Sequence, residues 1–223
     1  MTTSGSATFN PSFDVLIEEA FERAGTELRS GYDLKSARRS LDIMSAEWSN
    51  RGLNLWTVSL GTVPLVAGTS SYALPADTID LLEHVIRSGT GTSQVDYDIE
   101  RIGVNSYASI VTKNQTGRPI QIYVERTLTP TANVWPVPDV STYTLVYWRM
   151  RRIQDTGAAT NTADIPSRFI PALVSGLAYY IALKRPALMN RVQMLKAIYD
   201  EQFQLAYEED RERVPLRIIP YVG

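Results

Sequence analysis

Apolar side chains recur with helical periodicity at both ends of the chain and alternate in the middle. The densest run lies between Ile165 and Arg213. Phe169, Ala172, Leu173, Leu177, Ala178, Tyr180, Ile181 and Leu183 leave scarcely a polar side on the first segment, the pattern of a helix surrounded by protein or lipid. Lys184-Arg185-Pro186 stops it about half a dozen residues short of the ~20 that a bilayer crossing needs, so it predicts a core helix. Ala187 to Arg213 follows as a second helix. Leu188, Val192, Leu195, Tyr199, Gln202 and Ala206 step at three- and four-residue intervals and make one apolar stripe on an otherwise polar rod. Its last turns, Glu208 to Arg213, are charged throughout; the chain then turns apolar from Val214 to Gly223, punctuated by Pro215 and Pro220.

At the other end, Asn10 as N-cap and Pro11 at the first helical position predict a helix start. Phe13, Leu16, Ile17, Ala20, Phe21 and Ala24 mark its buried face, and Gly25 ends it. Asp33 is expected to cap a second helix carrying Leu34, Ala37, Leu41, Met44 and Trp48 and closed by Gly52, so that the two form a helical hairpin. From Leu53 the period falls to two, with Trp56, Val58 and Leu60 on one side of a half-buried strand. Thr62 to Val66 and Tyr72 to Leu74 read as a hairpin around Ala67 to Ser71. Leu81 to Arg87 fits either period, and the β-branched Val85-Ile86 before the turn cluster Ser88 to Ser93 favours strand. Val104 to Thr112 predicts a short helix. Ile120, Ile122 and Val124 alternate, as do Tyr143, Leu145 and Tyr147; Val134 to Asp139 between them predicts a turn, because neither Pro136 nor Pro138 can donate to a ladder. The expected fold is α+β: a helical bundle (10–52 and 165–213) with an inserted, mostly antiparallel β lobe (53–152), a polar linker (153–164), a flexible N-terminus (1–9) and an extended C-terminal arm (214–223).

Length supports this picture, since 223 residues suffice for a domain with an inserted lobe. Basic and acidic residues nearly cancel, 22 against 24, so no global field argues for nucleic acid or an anionic membrane. Without cysteine there is no disulfide, thiolate ligand or thiol nucleophile. Met1 to Thr8 lacks the basic and apolar regions of a signal peptide, and a soluble chain made in the cytoplasm is expected. His84 is the sole histidine and no Gly-x-Ser-x-Gly elbow accompanies it, which favours a strand histidine at a core edge over a catalytic triad or a zinc site. Glu100 with Asp96 or Asp98 is the carboxylate pair that a glycosidase reading requires; no cofactor is expected. Arg149, Arg151 and Arg152 form the densest basic cluster. Direct DNA contact is one reading; without a surrounding basic patch, pairing between subunits with Glu208, Glu209 and Asp210 is the stronger one. That acidic run is either a solvated helix end or, with Glu212, the lining of a DNA channel, where negative charge keeps phosphate from sticking.

Several punctuated phrases, taken in order, resemble the head-to-tail adaptor proteins of tailed bacteriophages, among them the packaged-DNA stabilisation and tubular-tail adaptors. They are Trp48 through Trp56, Tyr72-Ala-Leu-Pro-Ala-Asp77, Lys113 through Pro119, Trp135-Pro-Val-Pro-Asp139 leading into Tyr143-Thr-Leu145, Ile165-Pro-Ser-Arg-Phe169, and Leu177-Ala-Tyr-Tyr180. The resemblance implies a non-enzymatic virion protein of the neck between head and tail. Its copies form a ring, typically of twelve, beneath the portal protein; the ring retains packaged DNA and offers a face to a tail or nozzle protein. It also implies that Val214, Pro215, Leu216, Arg217, Ile218, Ile219, Pro220 and Tyr221 are the portal-binding arm. An extended apolar segment stiffened by two prolines suits that role, because less ordering entropy is lost on docking. The plainer alternative is that the tail folds back over its own helices.

Overall fold

Residues 5, 9–52 and 55–211 are described by the computed structural model, in which the chain divides into two units, 1–56 with 153–223 and 57–152. In the first unit, α1 (Phe13–Ala24) buries Phe13, Leu16, Ile17, Ala20, Phe21 and Ala24 and ends at Gly25, whose φ of 86° is the left-handed cap that a side chain would strain. Its start departs from the Asn10-Pro11 expectation. Ser12 is the N-cap, and the first free amides, those of Phe13 and Asp14, donate to the carbonyls of Asn161 and Ala159 at 2.9 Å. A distant loop thus takes these two amides, while the next one, of Val15, donates to the Asp14 carboxylate at 2.9 Å. Helix α2 (Gly31–Asn50) is capped by Ser30, whose hydroxyl accepts from the Asp33 amide at 3.3 Å. Asp33 is therefore not the cap but the first-turn residue, and its carboxylate accepts in return from the Arg29 amide.

Helix α4 (Ile170–Leu183) is buried nearly all round and packs against α1, α2 and α5 (Val192–Glu209). Gly176 allows close approach: a Cβ there would lie 2.5 Å from Met44 Sδ and 2.8 Å from the Tyr199 ring. Trp48 donates its indole N–H to the Tyr199 hydroxyl at 2.7 Å, and the Phe169 and Phe203 rings pack tilted against its indole. The run expected as one helix from Ala187 begins as a 3-10 turn, Pro186–Arg191, and α5 proper ends at Glu209. Nor is α5 polar away from its core stripe, since Met194, Ile198 and Leu205 are exposed on another side.

The second unit is a sandwich of four-stranded sheets. One runs β1 (Val58–Pro64), β8 (Tyr143–Arg151), β3 (Thr78–Ser88), β4 (Val95–Asp98); the other β2 (Ser71–Ala73), β7 (Thr131–Trp135), β6 (Gln121–Glu125), β5 (Glu100–Arg101). All pairings are antiparallel except β5 with β6. Leu81, Ile86, Leu145 and Tyr147 of the first sheet share a core with Ile122 and Val134 of the second. Helix α3 (Val104–Ser109) lies between β5 and β6 in sequence. The expected hairpin of 62–66 with 72–74 is absent: β1 pairs with β8, whereas β2 pairs with β7 in the other sheet. Val134 and Trp135 belong to β7, so the turn starts two residues later, after the cis Trp135–Pro136 bond. Helices at both chain ends and strands between make the fold α+β, as the periodicities indicate.

Candidate functional site

Alternation along β8 places Arg149 and Arg151 on one side of the strand. The Arg149 guanidinium is mostly enclosed, donating to Asp77 Oδ1 at 2.7 Å and to the Thr78 hydroxyl at 3.1 Å. Burial by itself pushes the Asp77 carboxyl up, but the hydrogen bond and charge of Arg149, with help from Arg151, hold it below the usual carboxylate range. Arg151 donates to the Arg152 carbonyl at 3.1 Å, and the Arg152 amide closes on the Asp77 carbonyl at 2.8 Å. The basic cluster thus welds the loop before β3 to β8, and of its three members only Arg152 is an exposed residue. Sequence spacing foretold the shared face; nothing local foretold Asp77 as the acceptor.

The acidic run at the end of α5 splits. Glu208 and Glu209 are exposed, Glu208 accepting from Gln204 at 2.7 Å. Asp210 departs from the solvated end expected for it. Its side chain is 1% exposed, ion-paired to Arg168, and accepts from the Leu55 amide at 2.9 Å. A carboxylate just past the helix is drawn inward because a cation and a free amide wait there. Glu212 and the arm Val214, Pro215, Leu216, Arg217, Ile218, Ile219, Pro220 and Tyr221 lie outside the described residues.

His84 sits buried in β3, and neither ring nitrogen has a hydrogen-bond partner among the described residues. Burial, and then the neighbouring Arg101 charge, push its pKa down, so the imidazole is held neutral. Asp96 receives both Arg87 nitrogens at 2.8 Å and is thereby lowered, the reverse of what a general acid needs. Glu100 stands in the other sheet and accepts from Gln121 at 3.0 Å. Among the described residues, no group of three or more His, Asp or Glu is placed to hold a metal, and no helix is long and apolar enough to cross a membrane.

A basic group that the sequence reading passed over gathers on α2 and the end of α4. Lys35, Arg38 and Arg39 of α2 line one shallow hollow together with Asp42, and Lys184 at the end of α4 donates to the Ser36 carbonyl and the Ser40 hydroxyl. Burial first, and then the charge of Arg39, hold the Lys184 ammonium below its ordinary range. The polar side of α2, spaced 35, 38, 39, was the available signal. The aromatic anchors of the ordered phrases serve as clamps: Trp56 packs on Phe169 at 4.4 Å, the Tyr72 hydroxyl donates to the Thr69 carbonyl at 2.7 Å, and Trp135 donates to the Thr112 carbonyl at 3.0 Å. Compared with known families, residues 16–219 match the model described as SU10 adaptor protein. No curated protein matches the chain.

Proposed function

The chain belongs to the SU10 adaptor protein family of phage structural proteins, and from that premise we propose that it is a subunit of the head-to-tail adaptor ring. The observation that carries this reading is the extent of the match, which takes in nearly every described element of both units. As a ring subunit, typically one of twelve, it sits in the virion neck, docks beneath the portal protein, helps retain packaged DNA and gives the tail or nozzle protein its attachment face. The arm Val214 to Tyr221 reaches the portal. Leu216, Ile218, Ile219 and Tyr221 each contribute roughly 1.5–3 kcal/mol if fully buried there, and repeated arms add by avidity. Glu209 and Glu212 face the channel, where their charge lets the duplex pass without sequence-specific contact. Support for a structural role over DNA binding comes from Arg149, the centre of the basic cluster, being committed to Asp77.

Removal of 214–223 tests the arm. The truncated chain is expected to fold with unchanged circular dichroism and to leave portal rings bare in electron-microscopic class averages; normal joining would overturn the assignment. Strong, salt-dependent retention of the intact chain on duplex DNA would favour the DNA-binding reading instead.

A further inference from the structure

Two helices of the bundle unit carry exposed stripes of matching length and opposite charge. On α2, Tyr32 (73% exposed), Lys35, Arg39 and Ile43 (54% exposed) stand on the side away from the buried Ala37, Leu41 and Met44. On α5, Met194 (49%), Ile198 (38%), Glu201 and Leu205 (55%) form the corresponding line, continued by Glu208. From Tyr32 to Ile43 and from Met194 to Leu205 is eleven residues in each case, about 16 Å of helix. In both stripes one charged member stands seven residues after the first apolar one and four before the last: Arg39 in α2, Glu201 in α5. Lys35, Arg39 and Glu201 have no oppositely charged partner among the described residues. Both helices pack on α4, each with its stripe turned from the core.

Single exposed apolar residues are ordinary, but aligned ones interleaved with unpaired charge are the pattern of an interface whose core is apolar and whose selectivity is electrostatic. An acidic line and a basic line on the same chain cannot be self-complementary about a twofold axis through either one. They fit head to tail, and head-to-tail contacts that close by rotation make rings. Resting on the ring reading proposed above, we infer that the α2 stripe of one copy docks on the α5 stripe of the next, with Lys35 and Arg39 opposite Glu201 and Glu208. A second copy is the occupant because the same chain carries the complementary surface, matching in length and opposite in sign. Every copy then offers one basic and one acidic flank, so the contact repeats around the whole ring.

Charge exchange provides the test, read by electron microscopy of portal rings mixed with the full chain. Lys35→Glu with Arg39→Glu, or Glu201→Arg with Glu208→Arg, is expected to abolish annular density at concentrations where the unaltered chain saturates the portal. The chain carrying all four substitutions is expected to regain it. Because these side chains are exposed, melting followed at 222 nm should be unchanged in each variant, which separates lost assembly from lost folding. If the unaltered chain forms rings and the reversed variants do so equally well, the stripe pairing is wrong and the ring reading stands. If the two half-reversed chains fail and the fourfold variant fails too, the stripes matter but do not meet each other, and the pairing is again overturned. If the unaltered chain forms no ring, the ring reading itself falls.

Discussion

Two side chains report most directly on how burial is balanced in this protein. Asp210 and Arg168 are ion-paired across unequal exposure, 1% for the carboxylate side chain and 37% for the guanidinium. Deleting the cation leaves a buried carboxylate whose remaining donor among the described residues is the Leu55 amide, whereas deleting the carboxylate leaves a cation that water can reach. Arg168→Ala is therefore expected to cost about 3–5 kcal/mol, and Asp210→Ala about 2–3 kcal/mol, both read from urea midpoints at unchanged slope. Equal losses would mean that the carboxylate is less isolated than the geometry indicates. His84 supplies the pH counterpart. Its folded pKa lies below 6.5, so as pH falls through about 6.5 the unfolded chain takes up a proton that the folded chain refuses. Stability then declines with acidity until the folded-state pKa is passed. His84→Leu is expected to flatten the stability curve as pH falls below about 7, leaving the steeper loss below about pH 4, where the depressed Asp33, Asp77 and Asp96 protonate. A decline persisting unchanged in the leucine variant assigns that limb to another group.

Among elements, legibility followed how local each element's causes are. The heptad-like run of α2, the glycine stop of α1 and the all-apolar α4 owe their form to neighbours within a few residues, and each was readable. Strand β3 was readable as well, because Val85-Ile86 and the following turn residues are local evidence. What could not be read was partnership. Strand β1 runs beside β8, some ninety positions on, while β2 joins the other sheet, and nothing between Val58 and Leu74 encodes that choice. The start of α1 misled for the same reason, its free amides being met by carbonyls of 159–161. Of the candidate site, single-element properties such as the shared face of Arg149 and Arg151 were legible. Asp77, Arg168 and the outward stripe of α5 required tertiary structure, since the eye follows the buried stripe of a helix first. Capping gives a clean element-scale prediction. Ser30→Ala removes the acceptor for the Asp33 amide and is expected to lower stability by about 1 kcal/mol, whereas Ser30→Asp should largely preserve it in thermal melts. A loss as large in the aspartate variant would place the effect elsewhere than in the cap.

At the scale of the molecule, the topology says how an inserted unit can be carried without disturbing its host. Strands β1 and β8 begin and end the unit 57–152, and they are antiparallel neighbours with Val58 opposite Met150. Paired residues in such a ladder lie about 5 Å apart, so the two ends of the unit 57–152 lie close together. Within the helical unit, Trp56 packs on Phe169, and its indole donates to the Asp164 carbonyl at 3.2 Å. Its core, built on α1, α2, α4 and α5, includes no side chain from 57–152. Each unit therefore has its own apolar core and ends that meet, the two conditions for folding alone. Replacing 57–152 by a short Gly-Ser bridge is expected to leave a helical protein that melts cooperatively at 222 nm, and the excised 57–152 segment is expected to show sheet-type circular dichroism with its own transition. The bridged chain keeps both the α2 and the α5 stripes, so it should still line up head to tail wherever the full chain does. A bridged chain that is helical but melts without cooperativity would mean that the bundle borrows its stability from the β unit, and that adaptor function cannot be partitioned between the two.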